Sequence, residues 1–331
     1  MKVSVIVSIF NATDILSKTL PPLLNQDYPA KDHEIILVND SSTDGTANLI
    51  TSEKWNGPFI ALNHKVNQGR SATRNTGLKA ASGDILIFLD CDIEVPHNFI
   101  SKHVEYHKMS KVIGLLSNLQ PGVPTIDKYH RYLFNNKRGA KKISHNKYLP
   151  YRYFILTATS IKREAIEKTG KFNQHLSGYG IDLHYSYRLW KDFPKNLFFA
   201  SDIIVKQHKL KSFFEAIADF KDYGSNNLPH ILTEFPQLAK DTGADYIAGQ
   251  KIKVLIGKIL FNVVFQRLAE LMHFLLPTPL CNPFIRYRMI DALIGSYQNY
   301  LKKNNINNIA DRRTFDVILI DGGFDSETVL A

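Results

Sequence analysis

The stretch "ILIFLDCDIEVP", Ile85 to Pro96, ends an apolar run in two carboxylates, Asp90 and Asp92, with Cys91 between them. Two acids at the exit of a buried strand repel each other, and taking either out of water is costly. A bound divalent cation relieves both problems. Carboxylate oxygens are hard ligands, so the ion they suit is Mn2+ or Mg2+, usually shared with substrate phosphates. Taken alone, the tripeptide reads better as a solvated loop after a strand, because it is common. Cys91 reads as a small residue turned into the sheet, since a thiolate suits a hard cation poorly. A second strand-like run, "HEIILVND", also ends in a carboxylate, Asp40. Asp40 could serve a helix cap or an Asx turn there, although Asp44 and Gly45 just beyond it suit the turn better.

The elements that must position these acids alternate. "VSVIVSIF" is a β-branched run, and "ATDILSKTLPPLLNQ" has helical spacing. After "HEIILVND", the stretch "STDGTANLITSEKW" opens with helix-cap chemistry. "FIALNHKVNQG" holds a third strand, "GRSATRNTGLKAASGD" reads as a helix, and "ILIFLD" follows. Near-continuous apolar strands separated by helices predict an α/β fold with a mostly parallel central sheet flanked by helices. Ligands in such folds sit beyond the carboxyl ends of the strands, where Asp40, Asp90 and Asp92 fall.

Bulk properties agree with a globular chain of 331 residues, 44% hydrophobic and 22% charged. The net charge of +10 favours phosphorylated ligands, polyanions or anionic membrane surfaces without choosing among them. Two distant cysteines, Cys91 and Cys281, build neither a disulfide framework nor a zinc site, which fits a reducing compartment. "MKVSVIVSIFNATD" reads as the first strand rather than a secretion signal. No uncharged apolar run reaches the length of a membrane span.

The segments "VSVIVSIFNATDILSKTLPPLLNQDYP", "EIILVNDSSTDGT" and "NQGRSATRNTGLKAASGDILIFLDCD", in this order and spacing, closely resemble the N-terminal half of family 2 glycosyltransferases, which have the GT-A fold. The resemblance continues more weakly through "ATSIKREAIEKTGKFNQHLSGYGIDLHYSYRLW". It implies a nucleotide-sugar donor, most simply a UDP-sugar, and a saccharide or lipid-linked acceptor. Asp40 then matches the position that hydrogen-bonds the nucleotide base, where a carboxylate accepts well from the imide N–H of uracil. Ser8, Phe10 and Asn11 follow the first strand; Ser8 and Ile9 stand where the family usually has proline and threonine, and Phe10 either stacks on the base or fills the core. Asn67, Gly69, Arg74 and Asn75 belong to a segment that approaches the nucleotide, with the arginine near base or phosphate. Arg74 reads alternatively as a surface ion pair on a helix. Asp92 matches the direct metal ligand and Asp90 the ribose or water-mediated contact.

The same resemblance assigns the catalytic base to the aspartate of a Glu-Asp pair after a glycine-rich turn. Here "SGYGIDLHYSYRL" supplies Asp182 and, six residues on, Arg188, with Ile181 in place of the glutamate. Asp182 also reads as a helix-start charge that favours the macrodipole. His208 matches an additional metal or phosphate contact, although a lone histidine is more often structural. "FKDYGSNNLPHILTEFP" resembles a family element with no chemistry assigned to it.

Residues 128–152 carry eight Lys or Arg and no acid, interleaved with tyrosines. A basic loop over a diphosphate site, near acceptors, fits this fold better than nucleic-acid binding, and no nucleic-acid partner is expected; a solvated surface loop is the alternative. Lys251 to Leu276 reads as an apolar helix with a polar stripe of Lys258, Asn262, Gln266, Glu270 and His273, followed by the breaker "PTPLCNP" and a second helix over about 284–303. This C-terminal amphipathic helical region suits peripheral contact with the inner face of the cell membrane, or packing against a partner. The expected division is a transferase domain over 1–245 (a nucleotide-binding half, 1–100, and an acceptor half, 101–245), the amphipathic region 246–304, and a tail 305–331 with a strand-like core and an acidic end. Two rivals share parts of the pattern. A nucleotidyltransferase would need a glycine-rich, lysine-bearing loop after the first strand, which "SIFNATD" lacks. A degenerate transferase serving as a membrane scaffold is supported by the missing glutamate alone.

Overall fold

The structure of the chain, a computed structural model, describes residues 1–304 and Ile306, except residues 53, 56, 126, 144–146 and 250. The strand-like core and acidic end expected in the tail lie outside the described residues. The chain forms two compact units, residues 1–210 and 211–331. That packing boundary precedes the 245/246 division expected from the motifs.

In the first unit the strands are β1 (Val3–Ile9), β2 (His33–Asn39), β3 (Ile60–Asn63), β4 (Ile85–Asp90), β5 (Ile93–Glu94), β6 (Gly114–Pro121), β7 (Ala158–Lys162) and β8 (Leu197–Gln207). They make one sheet in the order β3-β2-β1-β4-β7-β6-β8-β5. β3, β2, β1 and β4 run parallel. β7 is antiparallel to β4 and β6, β8 is parallel to β6, and β5 is antiparallel to β8. The helices are α1 (Leu16–Leu24), α2 (Thr46–Ile50), α3 (Gly69–Ala80), α4 (Phe99–His107), α5 (Lys128–Leu133), α6 (Arg163–Thr169) and α7 (Ile181–Asp192). The mostly parallel sheet expected from the apolar runs is therefore present.

The central strands are apolar at nearly every position because both sheet faces are covered. Val3, Val5, Val7, Ile35, Leu37, Ile85, Ile87 and Leu89 join Leu16, Leu20 and Leu23 of α1 in the main core. The other face receives α3, which lies so close that a Cβ on Gly77 would stand 2.2 Å from Ile6 Cγ2. That close seat fixes the height of every side chain α3 sends toward the sheet edge.

The second unit is helical: α8 (Phe213–Ser225), α9 (Asn227–Glu234), α10 (Ala239–Thr242), α11 (Asp245–Ala248), α12 (Lys251–Leu260), α13 (Val263–Leu275) and α14 (Asn282–Lys303). α14 buries Ile285, Met289, Leu293, Tyr297 and Leu301. Its backbone meets α8 at Gly224, where a Cβ would stand 2.1 Å from the Leu293 carbonyl oxygen. The single helix expected over Lys251 to Leu276 is two helices. Asn262 breaks it, because its side chain accepts from Val264 N and Phe265 N and so caps α13 instead of continuing α12. No described helix is long and apolar enough to cross a membrane.

Candidate active site

The sheet register gathers the acids. Ser8 sits opposite both Val38 and Asp90, so β1, β2 and β4 end level with one another. The Asp90 amide donates to the Thr157 carbonyl just before β7 at 2.9 Å, which pins the end of β4. The chain then passes Cys91 and Asp92 and enters β5, whose Ile93 and Glu94 pair with Gln207 and Lys206 of β8. That pairing brings Gln207 Nε2 within 3.0 Å of Asp92 Oδ2 and lets the His208 amide donate to the Asp92 carbonyl.

Asp92 is pushed up to about 6 by burial and by the nearby Asp90 charge, against the hydrogen bond from Gln207. The Cys91 thiol is pushed up to about 12 by burial first and then by Asp92. Arg70, at the start of α3, has its cationic form favoured chiefly by Asp90, and further by Asp182, Tyr179 and Asp92. Arg70 was not legible as a site residue; its place in the first turn of a helix aimed at the strand ends is the signal that could have found it.

Arg74, expected either near base or phosphate or in a surface ion pair, forms an ion pair that is buried rather than at the surface. It is 1% exposed. Its Nη1 donates to Asp182 Oδ1 at 3.0 Å, its Nη2 donates to the Leu156 carbonyl at 3.2 Å, and Nη2 stands 3.6 Å from Asp90 Oδ1. One guanidinium thus joins the acid at the end of β4 to the acid at the start of α7. Asp182 stands in the first turn of α7, entered through Gly178 (φ 73°) and Gly180 (φ 94°), left-handed positions that favour glycine. Ile181 is buried there, so an apolar side chain fills the position of the missing glutamate. Arg188 is turned away, donating to the Lys171 and Thr169 carbonyls.

Asp40 is at the strand ends, but its carboxylate is already held by the protein. Oδ1 accepts from Gln68 N at 2.9 Å and meets His64 Nδ1 at 2.7 Å, and Oδ2 accepts from Gly69 N at 2.8 Å. Asp40 therefore anchors the N-terminus of α3, and His64, whose Nε2 reaches Thr76 Oγ1, braces it. No sequence signal marked His64. Gly69 has φ 82°, so the turn that presents its amide to Asp40 favours glycine. Asn67 donates to the Asp40 carbonyl at 3.4 Å. Asn75 is buried and bonds both ways with the Phe172 backbone, a packing role. Phe10 is 48% exposed, so it does not fill the core. Asn11, at φ 47°, ties the β1–α1 loop to Ser42 and Thr43.

His208 is close to Asp92 through its backbone only. Its Nε2 pairs with Glu94 Oε2 at 2.6 Å, and its Nδ1 is buried with no hydrogen-bond partner among the described residues. No group of three or more His, Cys, Asp or Glu side chains among the described residues is placed to hold a metal ion. What the site offers is a pair of hard carboxylates, one of them made reluctant to ionise by burial and by its neighbour. Such a pair fits a hard divalent cation whose remaining ligands come from elsewhere, phosphate oxygens in particular.

The profile of the family described as Glycosyl transferase family 2 matches residues 4–170. Over 130 residues the chain is 35% identical to the poly(ribitol-phosphate) beta-glucosyltransferase of Bacillus spizizenii, covering 38% of this chain and 20% of that protein. Over 209 residues it is 28% identical to glycosyltransferase AglE of Haloferax volcanii, covering 61% of this chain and 65% of that one. The chain thus spans less than two thirds of the length of these relatives. Among solved structures, S. aureus TarS 1-349 in complex with UDP-GlcNAc aligns with a TM-score of 0.53 at 17% identity over 92% of each chain. The mannosyltransferase PcManGT from Pyrobaculum calidifontis, in complex with GDP-Man and Mn2+, aligns with a TM-score of 0.60 at 18% identity, covering 91% of this chain and 87% of that one. At those identities the likeness is one of fold, and it agrees with the GT-A architecture. The matched half carries β1 to β4, the α3 arginines and the paired acids, and by that match the chain belongs to glycosyl transferase family 2.

Proposed function

We propose that the protein transfers a sugar, with inversion at the anomeric carbon, from a UDP-sugar to a hydroxyl of a saccharide or lipid-linked acceptor, and that it requires Mn2+ or Mg2+. The observation that carries this reading is the single buried guanidinium joining Asp90 to Asp182. It holds the acid assigned to the donor and the acid assigned to the acceptor in one fixed relation.

Asp92 and Asp90 would hold the cation, which when bound neutralises charge on the departing diphosphate. Arg70 faces the same acids from the start of α3 and is positioned to attract that diphosphate. Asp182 accepts the proton of the acceptor hydroxyl as its oxygen bonds to the anomeric carbon. The bond from that carbon to the β-phosphate oxygen breaks, and UDP leaves with the electron pair. His208 is assigned a supporting role through Glu94 rather than a place among the ligands.

Uridine is favoured by a count of acceptor sites. A carboxylate offers about four, and Asp40 uses three on His64, Gln68 and Gly69, which leaves one for the single imide N–H of uracil. Ser8, Phe10, Asn11 and Asn67 complete the base and ribose pocket in this reading. The exposed apolar faces of α12 and α13 support peripheral contact with the inner face of the cell membrane, where lipid-linked acceptors are met.

Titration calorimetry with UDP and with GDP, each with and without Mn2+, tests the reading. UDP heat that needs the cation and disappears in Asp92→Ala is the expected result. Absence of heat with either nucleotide overturns it, and cation-dependent GDP binding without UDP binding overturns the donor assignment alone.

A further inference from the structure

The connection from β6 to β7 starts and finishes at the reaction centre. At its start, the Gly122 amide donates to the Gln207 carbonyl at 2.7 Å, and a Cβ on Gly122 would stand 2.9 Å from the His208 ring. At its finish, the Leu156 carbonyl accepts from Arg74 and the Thr157 carbonyl accepts from Asp90. Between these feet the chain carries eight Lys or Arg over residues 128–152, with Asp127 as the sole acid from Gly122 to Thr157. Arg131, Lys137, Lys142 and Lys147 are exposed. A run of like charge held beside a site creates a standing potential that concentrates the opposite charge there.

The aromatic residues of this connection decide what kind of anion fits. Tyr129 is buried, Arg138 covers Tyr132, Lys141 covers Phe134, and Tyr151 packs on Tyr187 and Trp190 of α7. Rings committed in this way are not free to stack on nucleobases, and Tyr148, 51% exposed beneath Lys195, is one ring rather than the row of rings that single-stranded nucleic acid would require. Nor does the connection resemble a membrane-inserting surface, since the long exposed apolar faces belong to α12 and α13. What remains is a cationic rim that meets anions by charge.

We infer that the acceptor is an anionic glycan, a saccharide or polyol chain bearing phosphodiester or carboxylate groups, and that the β6–β7 connection holds it. This rests on the transferase reading of the site and adds the acceptor's chemical class to it. The test is binding of poly(glycerol phosphate), polygalacturonate and neutral dextran at 50 and 200 mM salt, to the native chain and to a variant with Arg131, Lys137, Lys142 and Lys147 all changed to Gln. The native chain is expected to bind at least one anionic polymer at least tenfold more tightly than dextran, with affinity falling steeply as salt rises, in the manner of polyanion binding with counterion release. The variant is expected to lose at least tenfold in that affinity and to flatten the salt dependence. Preference for the phosphate polymer or for the carboxylate polymer tells the two sources of charge apart. Equal binding by native chain and variant, equal binding of dextran, or a variant that loses only its binding to anionic lipid vesicles, each overturns the inference. UDP binding with Mn2+ is measured on both proteins. If both keep it while polymer binding does not change, the acceptor class is wrong and the donor reading stands; if neither binds UDP, the donor reading fails by itself.

Discussion

Arg74 contributes no exposed surface, yet it touches Asp182, faces Asp90 and holds the Leu156 carbonyl. Changing it to Met would leave two carboxylates facing an apolar stem. Breaking a buried ion pair costs about 3–5 kcal/mol, and the lower end applies because both carboxylates still reach water. A loss of about 3 kcal/mol is therefore expected by urea denaturation of Arg74→Met, and a loss under about 1 kcal/mol would show that the bridge contributes little. Asp182→Asn asks a different question, since it keeps shape and one hydrogen-bond acceptor but cannot take a proton. Cation-dependent UDP binding should survive while transfer falls at least about 100-fold, the usual share of a positioned base. Full transfer in that variant would remove Asp182 from the role. The paired acids and Asp182 were legible because their meaning is carried by residue type at a strand end or a glycine turn. The true partners of Arg74 and Asp40 were not, because they depend on which elements the sheet brings side by side.

At the scale of elements, α4 attaches to the sheet through a buried polar cluster. His103 Nδ1 and His107 Nε2 both meet Ser160 Oγ of β7 at 2.7 Å, and His103 Nε2 meets Ser117 Oγ of β6 at 3.0 Å. Burial pushes His103 down to about 3 and His107 down to about 4. In the unfolded chain both titrate near 6.5. As pH falls through that value the unfolded state takes up protons that the folded state refuses, so stability is full above about 6.5 and declines toward about 4. Asp92, pushed up to about 6, acts in the opposite sense over part of the same window. The melting temperature of Asp92→Asn without added metal should therefore fall between pH 6.5 and 5, and a flat profile there would contradict the neutral histidine pair. β1, β2 and β4 could be read from sequence because strands buried on both faces are apolar throughout. The break between α12 and α13 could not, because the helical period continues through Asn262 and only its side-chain cap ends it.

For the whole molecule, the charge of +10 and the exposed apolar residues of the second unit point to surfaces rather than to the core. On α12, Ile252, Leu255, Ile256 and Ile259 share one face, and on α13, Val264, Leu268, Leu271 and Leu275 do; all are exposed. Phe274 is 80% exposed. Apolar helical faces accompanied by exposed Lys258 and Arg267 suit an anionic lipid surface. The chain should float with vesicles containing phosphatidylglycerol and much less with neutral ones, and Leu271→Ser with Phe274→Ser should release it; failure to float with either kind would rule out this contact. The β6–β7 connection has a separate consequence. Its feet are held by the Gln207 carbonyl at one end and by Arg74 and the Asp90 amide at the other, so the exposed residues between the packed Tyr129, Leu149 and Tyr151 can change composition without moving those anchors. Natural variation could treat it as an interchangeable cassette. Grafting a neutral connection of similar length between Gly122 and Leu156 should leave UDP binding intact while the preferred acceptor changes, and loss of UDP binding in a folded graft would show that the two halves are not modular.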